Sequence, residues 1–552
     1  MMYSKKELSQ LVVAYCVAHD VAHVIISPGS RNAPLTIGFT NHPQIKTYSI
    51  VDERCAAFFG LGIAQQIRKP VALVCTSGSA LLNYYPAIAE AFYSDIPLII
   101  ISADRPKHLI DIGDGQAIRQ ENVFKNHSLY NANLIEGSEH ESENSQLISN
   151  AIQIAIHQKG PVHINVPFDE PLYETINLIP IRNLVAKDVV FEERMLHDFE
   201  SFGEKWNACS KKIVLIGVNY PNQKLQEQLM ELAKDESVLI FTESTSNVCH
   251  EKFINSIDKL IAPLNEAEFL DLKPEMLLSL GGMVISKKVK QFFRKYKPKH
   301  HLHIDEKNMQ NTFHCLKYHF DLTPTVFFDN FLPQIKPVIS SYQKRWLSVK
   351  KDRDTKHIKF LKEVEFSDLN VVDILLENIP DQAHLQLANS SIVRYTQLFD
   401  NNSSLKIFCN RGTSGIDGST STAIGAAYIT KGQTVFITGD ISFFYDSNAL
   451  WNKYIKNDFR IILINNRGGG IFKILQEPSK TNALDYFETP HHLTAKHLCE
   501  MYQLKYAKAA NETELDQQLK TFFTKGEHPK LLEIFTPNEI NDKVLKDYFK
   551  GL

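Results

Sequence analysis

Short apolar runs of strand length recur along this chain with helix-length stretches between them, and that alternation restricts the fold to open parallel sheets covered on both faces. In the first part, strands are predicted at 24–26, 46–51, 71–75, 96–102 and 162–166, with helices over 33–39, 54–67 and 80–93. A second series starts at 213–217 and continues through 237–241, 276–280 and 301–304. A third begins near Asn370 and includes 405–409, 420–429, 434–438, 461–464 and a late strand at 530–535. The expectation is an α/β chain of three domains, 1–182, 190–345 and 362–552, each an open, mainly parallel sheet flanked by helices. The segment 342–362 interleaves acids with bases and reads as a solvated helix or linker. The first and third domains look alike in outline, with ligand loops at strand ends.

A chain of 552 residues has ample material for several cores. Its 60 basic and 63 acidic side chains leave a formal charge of −3, so no global field recruits nucleic acid or anionic lipid. Apolar runs such as 96–101 are far short of the roughly 18 residues a membrane helix needs, and the polar start does not read as a signal peptide. Eight cysteines without a Cys-x-x-Cys pair, several inside apolar runs, read as buried free thiols of a cytoplasmic protein.

Two strand ends stand out near the C-terminus. Gly439-Asp440 closes one apolar run and Asn465-Asn466 closes another, with 446–455 between them as the expected crossover helix. A carboxylate, an amide oxygen and the carbonyls of the Gly468-Gly469-Gly470 turn suit Mg²⁺, which prefers oxygen donors together with phosphate. Each half alone is also an ordinary turn. Together, at the carboxyl ends of two strands where open α/β sheets bind ligands, they point to a cofactor site. Glu53, at a strand end and a helix start, reads by itself as a helix N-terminal charge.

Several further motifs follow in order: Ser27-Pro28-Gly29-Ser30-Arg31, Asp52-Glu53-Arg54, Thr76-Ser77-Gly78-Ser79, Ser102-Ala103-Asp104-Arg105-Pro106, Gln116-Ala117-Ile118-Arg119-Gln120, Asn410-Arg411-Gly412-Thr413-Ser414-Gly415-Ile416-Asp417-Gly418 and Gly439-Asp440-Ile441-Ser442. With these the chain resembles the family of thiamine-diphosphate-dependent synthases of menaquinone biosynthesis that make 2-succinyl-5-enolpyruvyl-6-hydroxy-3-cyclohexene-1-carboxylate. The similarity spans the outer domains and is thin in the middle.

The resemblance implies a pyrimidine-binding first domain, a central α/β domain and a diphosphate-binding third domain. It implies thiamine diphosphate with Mg²⁺ or Mn²⁺, held through Asp440, Asn466 and the Gly468 carbonyl. Glu53 matches the acid that activates the aminopyrimidine, and Ile416 the bulky residue beneath the cofactor. Ser79, Asn83, Ser414, Gly415, Gly439, Ile441, Ser442 and Phe472 match further cofactor contacts. The family decarboxylates 2-oxoglutarate and adds the four-carbon remainder to isochorismate in a Stetter-like 1,4-addition. Both substrates are dianions, and arginine forks grip carboxylates bidentately. By motif match the substrate contacts are Arg31, Arg105, Lys287, Lys288, Arg394 and Arg411, with Ser390 and Gln116 as neutral donors and Ile471 as apolar wall beside Phe472. Lys287-Lys288 reads equally as a solvated helix start, and Arg105 as a residue that pins its loop. Family precedent puts each site across two subunits of a homodimer or homotetramer.

Two departures bear on fine contacts: Gly115 stands where some relatives carry asparagine, and Arg467 places an extra cation near the diphosphate. Another thiamine-diphosphate-dependent 2-oxoacid decarboxylase or carboligase is the rival enzyme reading. Against it, the pairs His300-His301 and His491-His492 lie outside the first domain and are expected at the surface. A regulatory nucleotide-binding protein using Ser27–Ser30 as an anion turn is the non-enzymatic rival.

Overall fold

The computed structural model describes residues 2–177, 184, 186–191, 196–474 and 481–552. Three six-stranded sheets, all parallel, account for the architecture, each with helices on both faces. The first is ordered Lys46–Ser49, His23–Ile26, Val71–Cys75, Leu98–Asp104, Val162–Pro167, Tyr130–Asn133. The third is ordered Lys406–Cys409, His384–Leu387, Thr434–Gly439, Arg460–Asn465, Lys530–Phe535, Lys505–Ala509. Numbered within each sheet along the chain, both read 2-1-3-4-6-5, so the outer domains share one winding. The central sheet is wound differently, as 3-2-1-4-5-6, with Lys212–Ile216 beside Met276–Leu280 in its middle. The expected end of the first domain, at 182, lies outside the described residues.

The strands read as continuous apolar runs because both faces are covered. Val71–Cys75 and Leu98–Asp104 are buried at every position. In such sheets the reversal of winding opens a crevice beyond the carboxyl ends of two neighbouring strands. In the first sheet this crevice lies after Ile26 and Cys75, which brings Ser27–Arg31 beside Thr76–Ser79. In the third it lies after Leu387 and Gly439, which brings Ser390 beside Asp440. The corresponding crevice of the central sheet is filled by its own backbone. A Cβ on Gly217 would stand 2.1 Å from the Gly282 carbonyl oxygen.

The first and third domains share one apolar core, in which Phe58, Ile88 and Ile100 lie with Ile424, Phe436 and Ile461. Helices Glu53–Ile67 and Ser419–Ile429 meet there backbone to backbone. A Cβ on Gly62 would fall 2.1 Å from the Thr422 carbonyl oxygen, and one on Gly425 2.1 Å from that of Phe59. Only glycine at both positions permits this approach.

Three expectations require correction, and of the two readings of 342–362 the helix holds. The helix over 80–93 is two helices, Ser79–Asn83 and Tyr85–Tyr93, because Pro86 has no N–H to continue the first. The stretch 446–455 holds no crossover helix. Helix Asp440–Tyr445 starts directly at the strand end and a 3₁₀ turn, Ser447–Leu450, follows. The segment 342–362 is one 22-residue helix, Tyr342–Glu363, and it is anchored at both ends. Gln343 donates to the carbonyls of Ala233, Asp235 and Val238, while the His357 ring meets the Tyr548 hydroxyl at 2.8 Å. His301, expected at the surface, is a buried strand residue whose Nε2 lies 2.8 Å from Ser279 Oγ.

All eight cysteines are free; six are buried, and Cys249 and Cys315 are half-buried. Among the described residues no helix is long and apolar enough to cross a membrane.

Candidate active site

Strands Thr434–Gly439 and Arg460–Asn465 pair in parallel with Gly439 opposite Ile464, so Asp440 and Asn466 leave the sheet at the same edge. Asp440 accepts the N–H of Ile441 at 2.7 Å and that of Gly468 at 3.0 Å, which folds the glycine turn back onto the carboxylate. Asn466 donates through Nδ2 to Asp368 Oδ2 at 2.9 Å. Its own Oδ1 is buried and has no hydrogen-bond partner among the described residues. Burial, with the charge of Asp440 adding to it, pushes the Asp368 carboxyl up to about 6.

An orphaned amide oxygen beside a carboxylate and a main-chain turn fits a hard divalent cation. No cluster of three His, Cys, Asp or Glu side chains that could bind a metal occurs among the described residues. A cation at this edge would therefore draw on one carboxylate together with amide and carbonyl oxygens. His491, expected at the surface, is instead largely buried, with Nε2 3.3 Å from Asp440 Oδ2. Its Nδ1 accepts the N–H of Leu493 at 3.1 Å, which leaves the proton on the nitrogen facing Asp440. Arg467, by contrast, is exposed.

The loop 410–418 lies across the same edge. Arg411 donates to Asn389 Oδ1 at 2.7 Å, and Asn389 Nδ2 donates in turn to the carbonyls of Asn410 and Gly415, each at 2.7 Å. The Ser442 hydroxyl donates to the Ile416 carbonyl at 2.6 Å, tying that residue to the helix that opens with Asp440. Ser414 and Gly415 lie half-buried between them. Ser390, with φ of +71°, turns the chain into helix Ser391–Thr396, which carries Arg394. Desolvation, then the Arg411 charge, lowers the Arg394 guanidinium, so two cations are held close together in a dry place.

Two acids of the central domain lie against them. Glu243 accepts the N–H groups of Ile285 and Ser286 at 2.8 and 2.7 Å, and burial pushes it up to about 7. Ser286 caps helix Lys287–Lys295 through Val289 N–H at 3.0 Å and donates its hydroxyl to Asp258. Burial raises Asp258, with Lys288 and Arg394 pulling it back. The helix bearing Lys287 and Lys288 is thus seated on two carboxylates. Lys287 is exposed, and the Lys288 ammonium lies 5.0 Å from the centre of the Phe549 ring. Ile471 and Phe472 open the short helix Ile471–Ile474 beyond the glycine turn.

In the first domain Asp52 caps helix Glu53–Ile67 by accepting the Cys55 N–H at 3.0 Å. Glu53 is half-buried, and desolvation raises its carboxyl above the ordinary value. Asn83 Nδ2 lies 3.4 Å from Glu53 Oε2, and Ser79 begins the same short helix as Asn83. The neighbours of Glu53 reach the third domain: Arg54 donates to the Tyr445 carbonyl at 2.9 Å and Asn448 to Asp52 at 2.8 Å. Arg31 donates to the Phe168 carbonyl at 2.8 Å, and its buried Nε has no hydrogen-bond partner among the described residues. Arg105 donates to the Gly115 carbonyl at 2.8 Å, so a main-chain group at this departure serves the loop. Gln116, with φ of +54°, sits exposed above Gly78, whose absent Cβ would lie 3.2 Å from Gln116 Cα.

The arrangement therefore contains two half-sites, an acid with cations on the first domain and an oxygen-rich edge with cations on the third. Asp368, His491, Glu243 and Asp258 were not found by sequence reasoning. Asp368 follows a serine cap and looks like any helix N-terminal acid, and the other three act through contacts that no local pattern announces.

Comparison with known proteins bears on both halves. The family "Thiamine pyrophosphate enzyme, N-terminal TPP binding domain" matches residues 6–128, and "Thiamine pyrophosphate enzyme, C-terminal TPP binding domain" matches residues 390–534. The chain is 54% identical, over 100% of both lengths, to a 2-succinyl-5-enolpyruvyl-6-hydroxy-3-cyclohexene-1-carboxylate synthase of Flavobacterium psychrophilum. It is 52% identical over 100% of both lengths to the protein of that name in Flavobacterium johnsoniae. With that of Porphyromonas gingivalis it shares 36%, over 99% of this chain and 97% of the relative.

Proposed function

The chain belongs to the 2-succinyl-5-enolpyruvyl-6-hydroxy-3-cyclohexene-1-carboxylate synthase family of thiamine pyrophosphate enzymes, and on that premise we propose that it joins 2-oxoglutarate, with loss of CO₂, to isochorismate. The observation that supports this most directly is the 54% identity over the whole chain to a synthase named for that product. Bound thiamine diphosphate supplies the nucleophilic carbon and the electron sink for decarboxylation. The chain's own residues hold, orient and desolvate.

Asp440, Asn466 and the Gly468 carbonyl would hold Mg²⁺ or Mn²⁺ against the diphosphate, a role for which the orphaned Asn466 oxygen is suited. Gly439, Ile441, Ser442, Ser414 and Gly415 would line the cofactor near that cation, with Phe472 beyond it. Ile416, tethered through Ser442, would support the cofactor from below. Glu53 would hold the proton shared with the aminopyrimidine ring, since a carboxyl raised by burial retains that proton more readily than an exposed one. Ser79 and Asn83 would line the same side, with Asn83 steering the Glu53 oxygen.

Four carboxylates arrive with the two substrates. Arg394 and Arg411 form a desolvated pair suited to one of them, and Arg31 and Arg105 are cations on the first-domain side. Lys287, Lys288, Ser390, Gln116 and Ile471 complete the proposed substrate wall. By family precedent the site would be completed by a second copy of the chain, in a homodimer or homotetramer. A cytoplasmic setting agrees with the free thiols.

Product analysis from purified protein supplied with both substrates, thiamine diphosphate and Mg²⁺ tests the reading. The six-membered-ring adduct is expected, and only when both substrates are present. Rapid release of a four-carbon aldehyde from 2-oxoglutarate alone would replace it with a simple decarboxylase.

A further inference from the structure

The loop that carries Arg411 and Ile416 is gripped from the first domain by a residue outside both half-sites. Glu90 lies on helix Tyr85–Tyr93 and is 1% exposed. Its Oε1 accepts the Gly412 N–H at 2.7 Å and the Ser94 hydroxyl at 2.8 Å. Its Oε2 accepts the Thr413 N–H at 2.7 Å and the Thr413 hydroxyl at 2.9 Å.

Two consecutive main-chain N–H groups aimed at one carboxylate form an anion nest, and here the anion is a side chain of the same molecule. Each oxygen of Glu90 thus accepts from one main-chain N–H and one hydroxyl. Glutamine would turn an NH₂ against one of the N–H groups and leave it buried without an acceptor. The fit is close as well as polar. A Cβ on Gly412 would stand 2.4 Å from the Glu90 carbonyl oxygen and 2.7 Å from Ser94 Oγ, so the latch also needs glycine at 412.

On one side of this contact the loop bears Arg411, Ser414, Gly415 and Ile416. On the other, helix Tyr85–Tyr93 continues directly from the short helix holding Asn83, the residue beside Glu53. We propose that Glu90 is a positioning residue that fixes the 410–418 loop on the first domain and thereby sets the placement of Arg411 and Ile416. The assignment rests on the reaction proposed above for what those two residues do. The latch itself rests only on the geometry.

The test uses the full chain. In Glu90→Gln without cofactor, amide hydrogen exchange of a peptide spanning 410–418 is expected to accelerate about tenfold or more, with helix Ser419–Ile429 unchanged. Calorimetry in Mg²⁺ should show thiamine diphosphate binding weakened by about tenfold, and the KM for isochorismate should rise more than kcat falls. Thr413→Val keeps the N–H and should give a smaller change of the same kind. Combined with Glu90→Gln it should add almost nothing. Exchange and affinity both within about twofold of the parent, or exchange accelerated uniformly along the chain, would overturn the proposal. If Glu90→Gln fails to fold, Thr413→Val and Gly412→Ala carry the same two measurements, and no effect in either overturns it. A parent protein that does not convert the two substrates would sink the reaction while exchange and calorimetry still judge the latch.

Discussion

Asn466 donates its amide to Asp368 Oδ2 over 2.9 Å, and this bond decides which end of Asn466 is left for a ligand. The Thr536 hydroxyl holds Asp368 from the other side at 2.6 Å, so the orientation of a residue at one strand end is set by two elements distant in sequence. The amide oxygen is thereby held without a protein partner among the described residues, and for a cation bound there the Asp368 contact would fix that oxygen's direction.

Asp440→Ala should weaken Mg²⁺-dependent binding of thiamine diphosphate by more than about 100-fold, and Asp368→Asn by about tenfold although Asp368 would touch neither cation nor cofactor. Calorimetry with and without Mg²⁺ measures both. Normal affinity in Asp440→Ala would contradict the ligand set.

Glu53→Gln should bind cofactor within a few-fold of the parent while proton exchange at the thiazolium C2 and kcat both fall by about 10²- to 10⁴-fold. Exchange followed by NMR on quenched samples reads the first, steady-state assay the second. Unchanged exchange would remove Glu53 from the proton path.

Arg394→Ala should raise the KM for isochorismate about 10- to 100-fold and leave the cofactor constant within about threefold. The opposite pattern, a shift in cofactor binding alone, would place Arg394 beside the cofactor and away from the substrate.

Glu243 carries a pH signature. Its folded carboxyl, pushed up to about 7 from an ordinary value of 4.5, keeps a proton that the unfolded chain releases. The folded state therefore binds more protons across this window, and stability declines as pH rises from 4.5 towards 7. In urea titrations the parent should lose about 1 to 3 kcal/mol relative to Glu243→Gln between about pH 5 and about pH 8. Parallel stability curves would show that Glu243 is ionised throughout.

Gly62→Val should destabilise the chain by about 1 to 3 kcal/mol or prevent folding, because its side chain would enter the Thr422 carbonyl across the helix pair. Thermal denaturation gives the answer. An unshifted midpoint would mean that the helices part easily.

Much of the fold is legible in sequence because strands buried on both faces need unbroken apolar runs, and those at 71–75, 276–280 and 530–535 end where the runs end. Strand ends also announce Asp440 and Asn466. Helix continuity was less legible at Pro86, where a strongly apolar stretch hid the missing donor. The short helix that begins at Asp440 took the place of a longer crossover because its first turn is built directly on the strand end. Histidines misled most: polar by type, His301 meets Ser279 Oγ and His491 accepts the Leu493 N–H, partners 22 residues away in one case and two in the other. Acids such as the buried Glu90 and Glu243 and the half-buried Asp258 are invisible in a one-dimensional reading, since each answers donors from a different part of the chain.

Bare main chain rests on bare main chain where Gly62 meets Thr422 and Gly425 meets Phe59, with no side-chain layer to slide upon. A side chain larger than hydrogen at either position would wedge the two outer sheets apart at this helix pair.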